Sequence, residues 1–326
     1  MKIDLAAVGT LGRALRRPEC VLATERGDLF VAHLGAGVLH IDRAGRQRMI
    51  GAVAEIDGKP WVPNGLALQR DGSFLIANMG EGGGLWRLDR SGTVTPALME
   101  VDGERLAATN FVVLDDEDRI WITVSTRQWP ISKAMGAVDG PRAVDGYIVL
   151  IDQKGARIVA DGLAFTNEVR LDAAGRTLYV VETFARRITR FRVGADGGLS
   201  GREVFCTFGH GTFPDGMAFD ADEHLWVASI ISNRLLRVAP DGSHEIVLAD
   251  TDQAHVDKIE RDLSAGTIQR EDMQKAPSKL LKNIASITFG GPDLKTGYLG
   301  SLGGDTLATF RSPVAGRAPA HWRFSF

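Results

Sequence analysis

The stretch Pro214-Asp215-Gly216-Met217-Ala218-Phe219-Asp220 decides how this chain is read. An acid stands at the head of a short apolar run. Ala221-Asp222-Glu223 turns, and Leu225-Trp226-Val227-Ala228 runs back, followed by Leu235-Leu236-Arg237-Val238. Short apolar runs bounded by Asp and Gly turns read as consecutive antiparallel strands.

The same frame recurs along the chain. It begins at Glu19 with Val21-Leu22-Ala23, and at Asn64 with Leu66-Ala67-Leu68. It returns at Asn110 with Val112-Val113-Leu114 and at Asn167 with Val169-Arg170-Leu171. A looser copy surrounds Ala285, with Ile287-Thr288-Phe289. These six heads are 45, 46, 57, 48 and 70 residues apart. A basic period near 45, with three or four strands in each copy, predicts an all-β, six-bladed β-propeller with four-stranded blades. The two long spacings mark insertions. One spans 127–145; the other, 251–282, places a short helix before the last blade, because its apolar residues recur every three to four positions. Closure is expected from a terminal strand, either Ile3-Asp4-Leu5-Ala6 or Trp322-Arg323-Phe324. No linker or low-complexity tract interrupts the chain, so residues 1–326 are read as one propeller domain.

The totals agree with this reading. Thirty-eight glycines supply many tight turns, and a formal net charge of -3 gives no reason to expect nucleic acid or an anionic membrane as a partner. Two cysteines, Cys20 and Cys206, make no disulfide framework or zinc-type cluster. No apolar run is long enough to span a bilayer, and none near Met1 precedes a cleavage site. A cytoplasmic location is therefore expected.

In a propeller the first strand of each blade lines the central channel, and the heads of these strands meet at one face. Five of the six heads carry oxygen donors: Glu19, Asn64, Asn110, Asn167 and Asp215. A lone Asn-Gly or Asp-Gly pair reads as a turn. Five at equivalent positions of one ring read as a cation site, since buried polar groups require partners. Oxygen donors without His or Cys suit one divalent metal ion, calcium first, with magnesium, manganese or zinc as alternatives. Asp215 is the candidate general base, able to hold the metal and face a water. Asn64, Asn110, Arg127 and His210 are the candidate substrate contacts. A solvated loop arginine and a surface histidine are the alternatives for the last two. Trp129 and Met135 are read as a lid or as loop packing. Trp86, Trp121, Trp226 and Cys20 are read as core. Glu260-Arg261-Asp262 and residues 269–275 are read as a solvated helical surface.

These residues resemble the senescence marker protein, gluconolactonase and luciferin-regenerating enzyme family, with diisopropyl fluorophosphatase a more distant relation. The resemblance is carried by Pro18-Glu19, Thr109-Asn110 with Ile120-Trp121-Ile122-Thr123, Asn167 with Leu178-Tyr179, and Pro214-Asp215-Gly216-Met217. Phe289-Gly290-Gly291-Pro292-Asp293 resembles its last-blade segment. The resemblance implies a catalytic metal held by Glu19, Asn167 and Asp215, with Asn110 a ligand or close neighbour. It also implies hydrolysis of a small-molecule lactone or ester. The chain departs from the family where Glu168 follows Asn167 in place of Gly, and in the length of the 127–145 insertion. Two other readings remain at this point: a binding scaffold with a structural calcium, and a phosphotriester or aryl-ester hydrolase using the same metal. Oligomeric state is not legible.

Overall fold

Each repeat folds as one four-stranded sheet. A computed structural model describes residues 1–128, 131 and 144–326. Among these, six four-stranded antiparallel sheets form the blades and two short two-stranded ribbons join them. The innermost strands of blades one to six are Val21–Ala23, Pro63–Leu68, Thr109–Leu114, Thr166–Leu171, Phe213–Phe219 and Ile284–Gly290. Three further strands follow each of the first five, ending with Gln47–Ile50, Val94–Leu98, Gly155–Leu163, Leu199–Thr207 and His244–Ala249. Burial falls outward: every residue of Pro63–Leu68 is buried, whereas Val94–Leu98 is half-buried to exposed. Inner strands are covered by neighbouring blades on both faces and read as continuous apolar runs.

The core lies between blades. Trp226 of blade five meets Phe289 of blade six edge-on, with centroids 5.4 Å apart, and stacks on Phe310 at 5.9 Å. Its indole Nε1 donates to Oδ2 of Asp220 at 2.9 Å, to which Arg237 also donates at 2.8 Å. Blade three repeats the device, with Trp121 and Arg119 both donating to Asp115. Trp86 and Cys20 are likewise buried.

Closure differs from both expected segments. The outer strand of blade six is Gly9–Leu11, paired through Gly9 with Thr309 and Leu11 with Leu307. Leu5–Ala7 instead forms a single turn of 3-10 helix. The C-terminal segment passes beneath the far end of the channel, where Gly316 bridges Asp220. It finishes with Phe326 against Phe30 and Phe74, at 5.1 and 5.6 Å. The N-terminal strand thus occupies the place a C-terminal strand would need.

The insertion before blade six carries the expected helix, Gln253–Ala265. It starts at an Asp252 cap that accepts from the His255 amide and stops at Gly266 in the left-handed region. A second helix, Arg270–Gln274, follows. The first helix packs Val256, Ile259 and Leu263 against Phe184, Phe213 and Ile230 in one apolar cluster. Glu260 corrects the expectation of a solvated surface: it is buried, and its carboxylate accepts from Arg186 and from the Gly211 amide. Most of the 127–145 insertion, with Trp129 and Met135, lies outside the described residues. Among the described residues no helix is long and apolar enough to cross a membrane.

Candidate metal centre

The ring positions share one backbone irregularity. The register of the innermost pair shifts between Pro63 and Leu66, Thr109 and Phe111, Thr166 and Val169, Pro214 and Met217, and Ile284 and Ser286. Asn64, Asn110, Asn167, Asp215 and Ala285 each fall inside one of these intervals. Such bulges bend a strand and re-aim a side chain. Glu19 precedes its own strand and is fixed by the bonds its neighbours make: Ala32 donates to the Cys20 carbonyl and Ser301 to that of Pro18, at 2.9 and 2.8 Å. The glycines after Asn64 and Asp215 serve close approach. A Cβ on Gly65 would lie 2.6 Å from Phe111 Cα, and one on Gly216 would lie 2.6 Å from the Ala285 carbonyl oxygen. Neighbouring inner strands could not come this close with larger residues there.

Hydrogen bonds then orient the polar heads. Asn167 donates Nδ2 to Thr183 Oγ1 at 3.2 Å, which leaves its Oδ1 buried without a partner. Asn110 donates Nδ2 to Ser125 Oγ at 3.0 Å, and Ser125 passes its own proton to the Thr166 carbonyl at 2.8 Å. Asn64 faces the other way. Its Oδ1 accepts from Arg17 at 2.7 Å, and its Nδ2 donates to Glu19 Oε1 at 3.0 Å and to the Asn110 carbonyl at 2.9 Å. The second carboxylate oxygen of Glu19, Oε2, is buried and unpaired. Asn64 therefore orients Glu19, and its polar atoms are engaged within the ring.

Charge is concentrated here with little water to disperse it. Glu19 and Asp215 are each about 4% exposed. Burial, reinforced by Glu168 and opposed by Arg17 and the Asn64 bond, pushes Glu19 up to about 7. Asp215 is held well above the usual carboxylate range, by burial first and then by the charges of Glu19 and Glu168, against Arg17 and a bond from Asn167. The two buried carboxylates share the single nearby guanidinium of Arg17, and two acceptor oxygens beside it, Glu19 Oε2 and Asn167 Oδ1, have no hydrogen-bond partner. This donor set fits a hard divalent cation: Glu19 Oε2, Asn167 Oδ1 and the Asp215 carboxylate are all acceptors. Among the described residues no three His, Cys, Asp or Glu side chains cluster as a metal site. The ring has two acids, and its other donors are carboxamides.

Arg127 and His210 make their contacts elsewhere. Arg127 pairs with Asp161 at 2.9 Å, donates to the Asp145 carbonyl and lies over the Tyr147 ring. His210 is 60% exposed at its side chain and bonds Asp257 of the insertion helix at 3.0 Å. Two residues at the ring escaped the sequence reading. Arg17 lies outside any strand and carries no pattern. Glu168, seen only as a departure from the family, lies beneath the ring in ion pairing with Arg170 at 2.6 Å. It accepts from the Met217 amide at 3.1 Å. Its Oε1 sits 2.7 Å from where a Gly216 side chain would begin, so the glycine of blade five makes room for the glutamate of blade four.

A cavity of about 410 Å³ opens at the opposite mouth of the channel, between Arg170, Arg317, His321 and the ends of the inner strands. It is separate from the ring. Its guanidiniums are engaged, Arg170 with Glu168 and Arg317 with the Leu171 carbonyl.

Six four-stranded blades around an axial ring of acids and carboxamides define a β-propeller with a polar centre at one channel mouth. The chain belongs to the SMP-30/gluconolactonase/LRE-like family, whose sequence model matches residues 18–254. The match starts one residue before Glu19 and runs past blade five. The chain is 25% identical over 244 residues to pentonolactonase XacC of Haloferax volcanii, covering 74% of this chain and 67% of that protein. It is 26% identical over 220 residues to the diisopropyl-fluorophosphatase of Loligo vulgaris, covering 63% and 67%. Its fold matches that of a calcium-binding protein, regucalcin, from Agrobacterium tumefaciens. The TM-score is 0.67 at 19% identity, over 96% of this chain and 98% of the other.

Proposed function

We propose that the chain is a metal-dependent hydrolase that opens a lactone or related ester at the ring. The observation that carries this reading is the pair of buried, unpartnered acceptors, Glu19 Oε2 and Asn167 Oδ1, beside the Asp215 carboxylate. Membership of a family that includes lactonases supports it. Glu19, Asn167 and Asp215 would hold one divalent cation, calcium first, with Asn110 as a further ligand or immediate neighbour; regucalcin, of the same fold, binds calcium. A cation there would supply Lewis-acid polarisation of the ester carbonyl.

The chain's own residues do the rest. Asp215 takes a proton from the attacking water as the water oxygen bonds to the carbonyl carbon. The ring C–O bond breaks, and the proton passes from Asp215 to the departing alkoxide. Asn64 holds Glu19 in place, and Thr183 holds Asn167 with its oxygen turned away from the amide bond. Turnover is expected in a panel of lactones and aryl esters run with calcium, magnesium, manganese and zinc in turn. Metal binding with no turnover of any substrate would favour a scaffold with a structural ion. The fluorophosphatase relative favours a second reading, phosphotriester hydrolysis by the same residues, so the panel includes a phosphotriester.

A further inference from the structure

Two residues before each head stands a second set: Arg17, Val62, Ala108, Phe165, Phe213 and Asn283. These positions lie one step nearer the channel mouth than the heads. Four of the six are apolar. Val62, Ala108, Phe165 and Phe213 all belong to, or pack against, the cluster that contains Ala285, the sixth head, and Val256 and Ile259 of the insertion helix. An apolar collar therefore joins the ring itself to the helix above it. Val62 and Phe165 are only partly buried, so the collar presents surface as well as packing. The Phe165 backbone sits at φ +60°, a conformation that bulky L residues rarely adopt. Its ring is held 4.6 Å from that of Phe184.

The two polar members of the set are engaged. Arg17 donates to the Pro63 carbonyl and to Asn64. Asn283 accepts from the Ile231 amide and donates to the Met273 carbonyl. At the ends of the second strands, His33 of blade one is buried with both ring nitrogens unpartnered, whereas those of blades two and four are engaged. Asn78 bonds the backbone of Val62, Gly80 and Gly83; Glu182 bonds Arg187, Thr189 and the Ala164 amide. Recognition of a polyhydroxylated ring requires polar groups held ready for its hydroxyls. Among the described residues, the four collar positions above the oxygen ring present carbon.

We infer that the preferred substrate carries an apolar body, as an alkyl-substituted lactone does, and that the collar around Phe165 selects it over a sugar lactone. This rests on the hydrolase reading of the ring. The test measures kcat/KM of the calcium-loaded full chain on γ-lactones bearing methyl to heptyl side chains, and on D-glucono-δ-lactone. The rate is expected to rise about two- to fourfold per added methylene, with the heptyl lactone at least tenfold above gluconolactone. Phe165→Ser is expected to flatten the series. Val62→Thr, which keeps the shape of the side chain, is expected to lower its slope should Phe165→Ser fail to fold. A flat series, or gluconolactone as the best substrate, overturns the inference and leaves the hydrolase reading standing. If no lactone turns over, the lactone reading fails and the matching alkyl lactams decide by thermal shift. Stabilisation that grows with chain length upholds the collar's role, and none overturns it.

Discussion

The side-chain amide of Asn64 lies 3.0 Å from Oε1 of Glu19, across the seam between blades two and one. Blade two thereby orients the carboxylate of blade one, while Arg17 fixes Asn64 from behind. Outer partners of this kind commonly contribute 10- to 100-fold to metal affinity. Asn64→Leu should weaken calcium binding by about that factor while leaving the blades folded. Calorimetric titration against wild type checks this. Unchanged affinity would mean that Glu19 needs no such support.

Cation binding should compete with protons. In the metal-free protein Glu19 is pushed up to about 7 and Asp215 is also raised. A protonated carboxylic acid is a poor ligand, so calcium affinity should fall as the pH drops through neutrality. Below that point binding should release protons. Titration in two buffers of different ionisation enthalpy, at pH 6 and 8, reads this directly. Equal apparent heats in both buffers at pH 6 would count against it.

Asp220 is fully buried and accepts from Trp226, Arg237 and two backbone amides. Removing it leaves the largely buried Arg237 guanidinium with only a long bond, 3.4 Å, to the exposed Asp222. Asp220→Ala should cost about 3–5 kcal/mol in urea unfolding, as breaking buried pairs does. Calcium affinity of the folded fraction should hold, because Asp220 lies beyond the channel-lining ring. A loss of affinity at full folding would join the two sites in a way the structure does not show.

His321 makes a pH-dependent contribution of defined sign. Burial, with Arg170 nearby, lowers its pKa from 6.5 to about 4. Between those values the unfolded chain takes up a proton that the folded chain does not. Stability from this group is therefore complete above pH 6.5 and is lost as the pH falls towards 4, by at most about 3 kcal/mol. Glu19 works in the opposite sense over part of the range, so the quantity to measure is a difference. The unfolding free energy at pH 7 minus that at pH 4.5 should be lower in His321→Gln than in wild type by up to about 3 kcal/mol. Identical pH dependence in both would remove His321 as the cause.

The blades were legible because their inner strands are buried on both faces and so are apolar throughout, as Leu66-Ala67-Leu68 and Leu225-Trp226-Val227-Ala228 show. The heads were legible because the repeat carries one polar slot in constant register. The edges were not. Leu199–Thr207 is mostly exposed and has no pattern of its own, and Gly9–Leu11 becomes a strand only by pairing with residues some 300 positions away. Glu260 looked like a solvated helix residue because Arg186, its partner, is 74 residues distant. Asn-Gly and Asp-Gly looked like turn signals, yet Gly65 and Gly216 are there to let inner strands touch. Contacts between blades govern each of these positions, and a single strand's pattern does not contain them.

The most direct test of the cation ring is the melting temperature of the full chain as calcium is added, compared among wild type, Asp215→Asn and Asn167→Ala. A ligand that binds only the folded state at a hundred times its Kd stabilises by about 2.7 kcal/mol. A cation held by the ring gives a saturable rise in wild type that is lost in both variants. An equal rise in all three proteins, or none in wild type with any divalent metal, would contradict it.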